Sequence, residues 1–403
     1  MLSTIRTWTR TRVHQVVESI AFYPALMVLL YIGVAAGMIW FDLSGPGVEL
    51  KGNMGWMSLK DASAARAIIS TIAGGIITLT VFSFSMVMIV LNQAASQLSN
   101  RLLDRMIGNR FQQLVLGAYI GTIVYALLLL STIREHDTGS SVPALSTYLL
   151  ILAAIVDIIL FIYFLHFITQ EVKYDVIIAK IHSEAFDSLR HHCPLAQEPE
   201  EEPLPTLPFE VLTTSAGVYE KFDRKGLLAF CEKNDLTVQF THLPGTFLLK
   251  GAPVLATERP IGSDLQDDLL KLIPLAKTES VEANFAFGFR QLTEIAMKAL
   301  SPGINDPGTA MLSLRALFEL FSFRLEQHPP NELRDAEGRV RIRLRTWSFE
   351  LLFKATIHAI WDYGHEDRSI RHELLSMLGQ LPTASPVVKE MRDRVEAAIA
   401  KNE

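Results

Sequence analysis

The chain is short of several things that would assign it quickly. Two cysteines, Cys193 and Cys231, stand far apart among 403 residues. Both fall in the half read below as cytoplasmic, so they are free thiols rather than a disulfide framework. A basic surplus is also missing. With 37 Lys and Arg against 43 Asp and Glu, the net charge is -6, which offers nothing to neutralise a phosphate backbone and sets nucleic acid aside as a partner. There is no GxGxxG, no P-loop, no GxSxG elbow and no HExxH pair, so the common signatures of nucleotide-dependent, hydrolytic and zinc chemistry are absent. The reading is of a protein that is not an enzyme and carries no cofactor or metal. No internal repeat is visible and spans one and two do not mirror spans three and four, which counts against a transporter built from inverted repeats.

Apolar residues are what the chain has, and they are unevenly spread. Hydrophobic types make up 49% of the sequence, concentrated in the first half. Residues 22–41, 68–91, 114–133 and 145–168 each hold roughly the 20 mainly apolar positions that cross a hydrocarbon core. The first window exceeds the apolar core of a signal peptide and no small-residue cleavage site closes it, so it reads as a retained span. Arg6, Arg10 and Arg12 precede span one, Arg101, Arg105 and Arg110 follow span two, and Lys173, Lys180 and Arg190 follow span four. The opposite side carries Lys51, Lys60, Arg66 and Arg134. Positive-inside asymmetry therefore puts both termini in the cytoplasm of a multi-pass protein of the bacterial inner membrane.

Organisation follows from composition. Residues 1–190 read as a four-helix transmembrane region with a cytoplasmic helical extension. Residues 191–208, with five prolines and a run of glutamates, read as a solvated linker. Residues 209–260 alternate strand and helix signals as a small α/β module, and 261–403 read as a helical cytoplasmic domain. The fold class is mainly α.

Three groups of residues carry the functional reading. The proline-free stretch from Arg66 to Arg105 bears a polar and small-residue seam at alternating steps of four and three: Thr71, Gly75, Thr78, Phe82, Ser85, Ile89, Asn92, Ser96 and Ser99. Lipid alone does not ask for such a face. It fits the lining of a water-filled path, with Phe82 and Ile89 as constrictions that gate by dewetting, and it equally fits close helix packing. One such helix per chain encloses nothing, so a conduit requires a homo-oligomer around a common axis. The second group is one residue, Asp157, in the middle of span four. An ionised carboxylate at that depth costs about 2.5–3.5 kcal/mol on insertion scales, so it must face protein or water or be protonated. It is read either as a handler of cations or protons or as an internal hydrogen bond between spans. Third is the corner from Ser301 to Ala310, where Gly303 and Asn305 accept turn geometry, Asp306 caps the next helix and Pro307 takes its first position. Arg290, Asn305, Asp306 and Thr309 are candidates for an anion or effector pocket at that helix start. His358, His365 and His372 recur every seven residues but lack a metal-ligand spacing, and a solvated face accounts for them.

Several stretches together resemble a bacterial family of predicted membrane proteins catalogued as a domain of unknown function, DUF2254. They are Arg66 to Gly75 and Ala94 to Arg101 in and after span two, Leu116-Gly117 through Gly121-Thr122, Ile162 to His166, and the corner from Ser301 to Ala310. The resemblance covers nearly the whole chain. It implies an inner-membrane bundle followed by a cytoplasmic half, and it implies no activity. The leading functional expectation is an oligomeric ion channel or conduit regulated by its cytoplasmic domain. The alternative is a non-conducting membrane scaffold or signalling protein.

Overall fold

The computed structural model describes residues 22–47, 49, 61–97, 110–133, 142–171, 173–197, 207–382 and 385–402. These fall into two compact units, Met1–Lys173 and Tyr174–Glu403.

In the first unit, α1 (Phe22–Leu43), α2 (Ala62–Gln97), α3 (Arg110–Thr132) and α4 (Ala144–Glu171) are each long and apolar enough to cross a membrane. Half of the apolar window of α3 is buried, against 11–22% for the other three, so α3 is the helix around which the bundle closes. It packs on α1, α2 and α4. Two glycines at i and i+4 bring α1 close: a Cβ on Gly121 would lie 2.6 Å from the Tyr31 ring, and one on Gly117 would lie 3.0 Å from Met27 Cβ. Without a hydrophobic drive between helices in lipid, such small residues secure van der Waals contact instead. Below them Tyr125, Ala126 and Leu129 of α3 pack with Ala65, Ile69 and Ala73 of α2 and with Ala35 of α1. Ile76, Val115, Tyr119, Ala154, Phe164 and Ile168 form a second cluster among α2, α3 and α4.

One polar contact ties the first helix to the last. Asp42, fully buried near the end of α1, accepts from the backbone N–H and Oγ of Ser146 at 2.8 and 2.9 Å. Ser146 lies in the first turn of α4, where free N–H groups and the helix dipole favour an anion.

The second unit starts with α5 (Tyr174–His192), which packs on α8 (Phe285–Ala299) and α9 (Pro307–Glu326). A Cβ on Gly288 would meet Ala185 Cβ at 2.5 Å, so α5 and α8 touch nearly backbone to backbone there. Phe289, Phe321, Phe349 and Phe353 meet in tilted and edge-on pairs at centroid distances of 5.1–5.6 Å to make the centre of this core. The other layer is a five-stranded sheet in the order β1-β5-β3-β7-β6, from β1 (Phe209–Leu212), β3 (Val238–Phe240), β5 (Pro253–Thr257), β6 (Glu332–Arg334) and β7 (Val340–Arg343). β2 (Gly217–Tyr219) pairs separately with β4 (Thr246–Leu248). α6 (Arg224–Lys233) and α7 (Ser263–Lys271) supply Leu227, Cys231 and Leu269 to the sheet's core. Helices begin where capping residues stand: Asp223, Asn284, Asp306, Ser348 and Asp367 each accept from a backbone N–H of the following turn.

Two expectations need correction. Residues 261–403 are not purely helical, because β6 and β7 come from that region and β7 runs parallel to β3. The α/β module at 209–260 therefore does not close on its own; its sheet is completed from about a hundred residues downstream. The reason lies in Arg341, which sits buried between Asp335 at 2.8 Å and Asp235 at 2.8 Å, so a charged residue occupies a strand interior by pairing. α10 (Phe349–Phe353) begins after Ser348 and passes through a π turn at Lys354–His358 into α11 (Ala359–Gly364). α12 (Arg368–Leu378) and α13 (Pro386–Asn402) then pack on each other. Of the expected Pro/Glu linker at 191–208, His191 and His192 end α5, and 198–206 lie outside the described residues.

Gly121→Leu is expected to lower the midpoint of thermal unfolding in detergent by several degrees, because the side chain has no space beside Tyr31. Gly33→Leu, made where nothing lies within 4 Å, is the matched control and should change it little. Asp42→Ala should cost about 1–2 kcal/mol, the range for losing a helix cap, while Asp42→Asn keeps an acceptor and should cost less. Circular dichroism melts of the purified variants check all four.

Candidate functional site in the membrane unit

Among the described side chains of α2 the buried positions are Ala62, Ala65, Ile69, Ala73, Ile76 and Ser83. At 100° per residue the seam lies roughly 180° around the helix from them. Thr71, Gly75, Thr78, Phe82, Ser85, Ile89 and Asn92 are accordingly all exposed on the single chain, and a Cβ on Gly74 or Gly75 would meet nothing within 4 Å. The hydroxyls on this face turn inward on their own helix: Thr71, Thr78 and Ser85 donate to the carbonyls of Ala67, Gly74 and Val81 at 2.8–2.9 Å. Phe82 leans sideways, edge-on to Phe161 of α4 at 5.8 Å. The side chain of Ser96, and Ser99 altogether, lie outside the described residues.

Asp157 faces the other way. It is 1% exposed, inside the bundle, with Thr122 of α3 the hydroxyl nearest to it in interaction. The seam and the intramembrane acid are thus two separate features of the unit, on opposite sides of α2.

In the second unit the corner does what its residues allow. Asn305 takes a left-handed φ of 50°, Asp306 Oδ1 accepts from Thr309 N at 3.1 Å, and Thr309 Oγ1 donates to Asp306 Oδ2 at 2.6 Å. These bonds hold the Asp306 carboxyl below its ordinary pKa. Arg290 is not part of this group. It stands about 14 Å from the corner along α8 and makes a two-pronged pair with Glu279 at 2.8 and 2.9 Å, so the four residues named for effector binding do not line one pocket.

A cavity of about 250 Å³ lies elsewhere in that unit, walled by His192, Phe222, Arg224, Asn284, Arg345 and Trp347 among others. None of it was singled out in the sequence, since its walls come from six separate stretches between 191 and 347. His192 is held below the ordinary imidazole value chiefly by burial, with His191 and Arg224 adding to the effect and the Ser188 carbonyl, 2.9 Å from Nδ1, opposing it. Burial also pushes Cys193 up to about 11 and Cys231 up to about 12, so both thiols stay protonated and unreactive. Among the described residues no group of three or more His, Cys, Asp or Glu side chains is placed to share a metal ion.

Three apolar helices packed on a central fourth, joined in sequence to an α/β and helical unit, define an integral membrane protein. The chain belongs to the DUF2254 family of predicted membrane proteins, whose profile matches residues 17–380. It is 26% identical over 329 residues to uncharacterized proteins of Mycobacterium tuberculosis and Mycobacterium bovis. That alignment covers 78% of this chain and 63% of those relatives, so the chain spans less than two thirds of their length. No solved structure matches it significantly.

His192 gives the second unit a defined response to acid. The folded state keeps this imidazole neutral where the unfolded chain, with a value near 6.5, takes up a proton. Its contribution is therefore complete above the unfolded value and is lost as pH falls through the depressed folded one. Between pH 7.5 and 5.5 the unfolding midpoint should drop further in the wild type than in His192→Gln, which keeps a donor for Ser188; scanning calorimetry at both pH values measures the difference.

Proposed function

We propose that this protein is an oligomeric conduit of the bacterial inner membrane, with both termini in the cytoplasm and the exposed face of α2 lining a shared path. The observation that carries this reading is that every described seam side chain, from Thr71 to Asn92, is left uncovered by its own bundle. A face of hydroxyls, glycines and an amide is a poor match for lipid tails and a good one for water or for another copy. Arranged around an axis, several copies bring Thr71, Thr78, Ser85 and Asn92 to the path, with Phe82 and Ile89 as its narrow apolar points. The second unit is then the part that regulates the path.

A second reading, a non-conducting scaffold in which α2 packs against α2 of a neighbour, is favoured by the hydroxyl bonds. Thr71, Thr78 and Ser85 already give their protons to carbonyls four residues back, so they need no water. The two readings part on solvent access. Single cysteines at Thr71, Thr78 and Ser85, and at lipid-facing Ile159 as control, are to be labelled in membranes with a charged, impermeant thiol reagent; the native thiols are both buried and contribute little background. A conduit requires labelling at 71, 78 and 85 and none at 159. Seam cysteines that stay unlabelled yet form disulfides between copies would replace the conduit with the scaffold.

A further inference from the structure

The cavity of the second unit has a graded wall. Tyr219, Phe285 and Pro329 are its buried members, Phe222, Pro244 and Trp347 are half-buried, and Lys221, Arg224 and Arg345 are exposed. Rings therefore form the inside and cations edge the side that meets solvent. The rings are held in place by the fold itself. Trp347 Nε1 donates to the Pro244 carbonyl at 3.0 Å, and Phe222 rests on Phe240 of β3 at 4.8 Å between centroids. A concave apolar surface fixed in this way, with a few polar groups at one side, is the usual form of a small-molecule site.

Its charges are unbalanced. Elsewhere in this unit arginines are commonly paired: Arg290 with Glu279, Arg315 with Glu373, and Arg341 with two aspartates. Among the described residues Lys221 and Arg224 form no ion pair, and Arg345 spends only Nη1, on the Thr241 carbonyl at 3.0 Å. The rest of that guanidinium fork stays available. Against these three cations the wall carries one acid, Glu220, which is 7% exposed and accepts from the Ser280 N–H. A low-dielectric hollow edged by cations concentrates field of one sign and draws in an anion.

We propose that this cavity binds a small aromatic anion, a soluble metabolite whose ring lies against Phe222, Phe285 and Trp347 and whose phosphate or carboxylate is held by Arg224 and Arg345. Size sets the class. A volume of about 250 Å³ equals that of about eight waters and falls just below the range of roughly 300–1,000 Å³ for drug-sized ligands. One or two fused rings with one acidic group fit; a nucleoside triphosphate or an acyl chain does not. Arginine suits the acidic end because its planar fork meets phosphate and carboxylate oxygens two at a time. The wall collects the end of α5, the starts of α6 and α8 and the segment after β7, so one bound molecule touches elements far apart in sequence. Among them α5 is the helix that follows the last span in the chain. The site does not depend on the conduit, since binding to it is measured whether or not the membrane unit conducts.

The test titrates the full-length protein in detergent with four probes, followed by saturation-transfer NMR. Phenyl phosphate and benzoate carry ring and charge, glycerol phosphate carries the charge of a metabolite or lipid headgroup without a ring, and benzyl alcohol carries the ring without charge. At least one of the first two should reach half-saturation at a concentration tenfold or more below both single-feature probes. Arg224→Gln with Arg345→Gln, two exposed changes that should leave the unfolding midpoint in place, should raise that concentration at least tenfold. Hydrogen exchange locates the site: the tighter probe should slow exchange at 221–224 and 344–347 in the wild type and not in the double variant. The proposal is overturned if glycerol phosphate binds as tightly as the ring-bearing anions, which would make this a plain phosphate or headgroup site. It is equally overturned if benzyl alcohol matches them, if neither ring-bearing anion binds, or if the double variant binds as the wild type does.

Discussion

Inside a bilayer a polar atom has no water to turn to, and that single constraint orders the membrane unit. It explains why the seam hydroxyls fold back on their own helix and why Asp42 reaches the start of α4 to satisfy Ser146. It also keeps Asp157 inside the bundle, against the Thr122 hydroxyl of α3 rather than against lipid. The apolar contacts around α3 set the distances at which these polar groups face one another, and the glycines at 117 and 121 set the closest of them.

The second unit answers to different physics. Its helices meet through a phenylalanine core, and its charged residues are admitted to the interior only in company. Arg341 lies between two aspartates, and Arg324, 2% exposed, donates to the carbonyls of Gln327 and Trp347. Such groups hold strands and loops from distant parts of the sequence in register, so the sheet and the helices form one body rather than two modules joined by chance. The small cavity bordered by His192 and Trp347 is a product of that joining.

Local chemistry was readable where one residue type has one good use. The four spans were plain from length and hydropathy, and α9 starts at Pro307 because Asp306 caps it. The strands at 332–334 and 340–343 were not readable, since three or four residues with arginine between apolar positions carry little signal until Asp235 and Asp335 are seen beside them. The grouping of Arg290 with the corner failed for a similar reason: they are near in sequence, but a helix of fifteen residues keeps them apart.

The sequence by itself determined that this is a membrane protein with four segments long and apolar enough to cross, where α2 carries a polar face, and that one acid lies in the middle of α4, because hydrophobic length and helical periodicity are properties of a segment alone. Only the tertiary structure decided that the polar face of α2 looks out of the bundle while Asp157 looks in, and that hydroxyls from neighbouring spans gather around it. Which side of a helix is buried depends on what packs against it, and in lipid that choice is made by shape and small residues rather than by hydrophobicity.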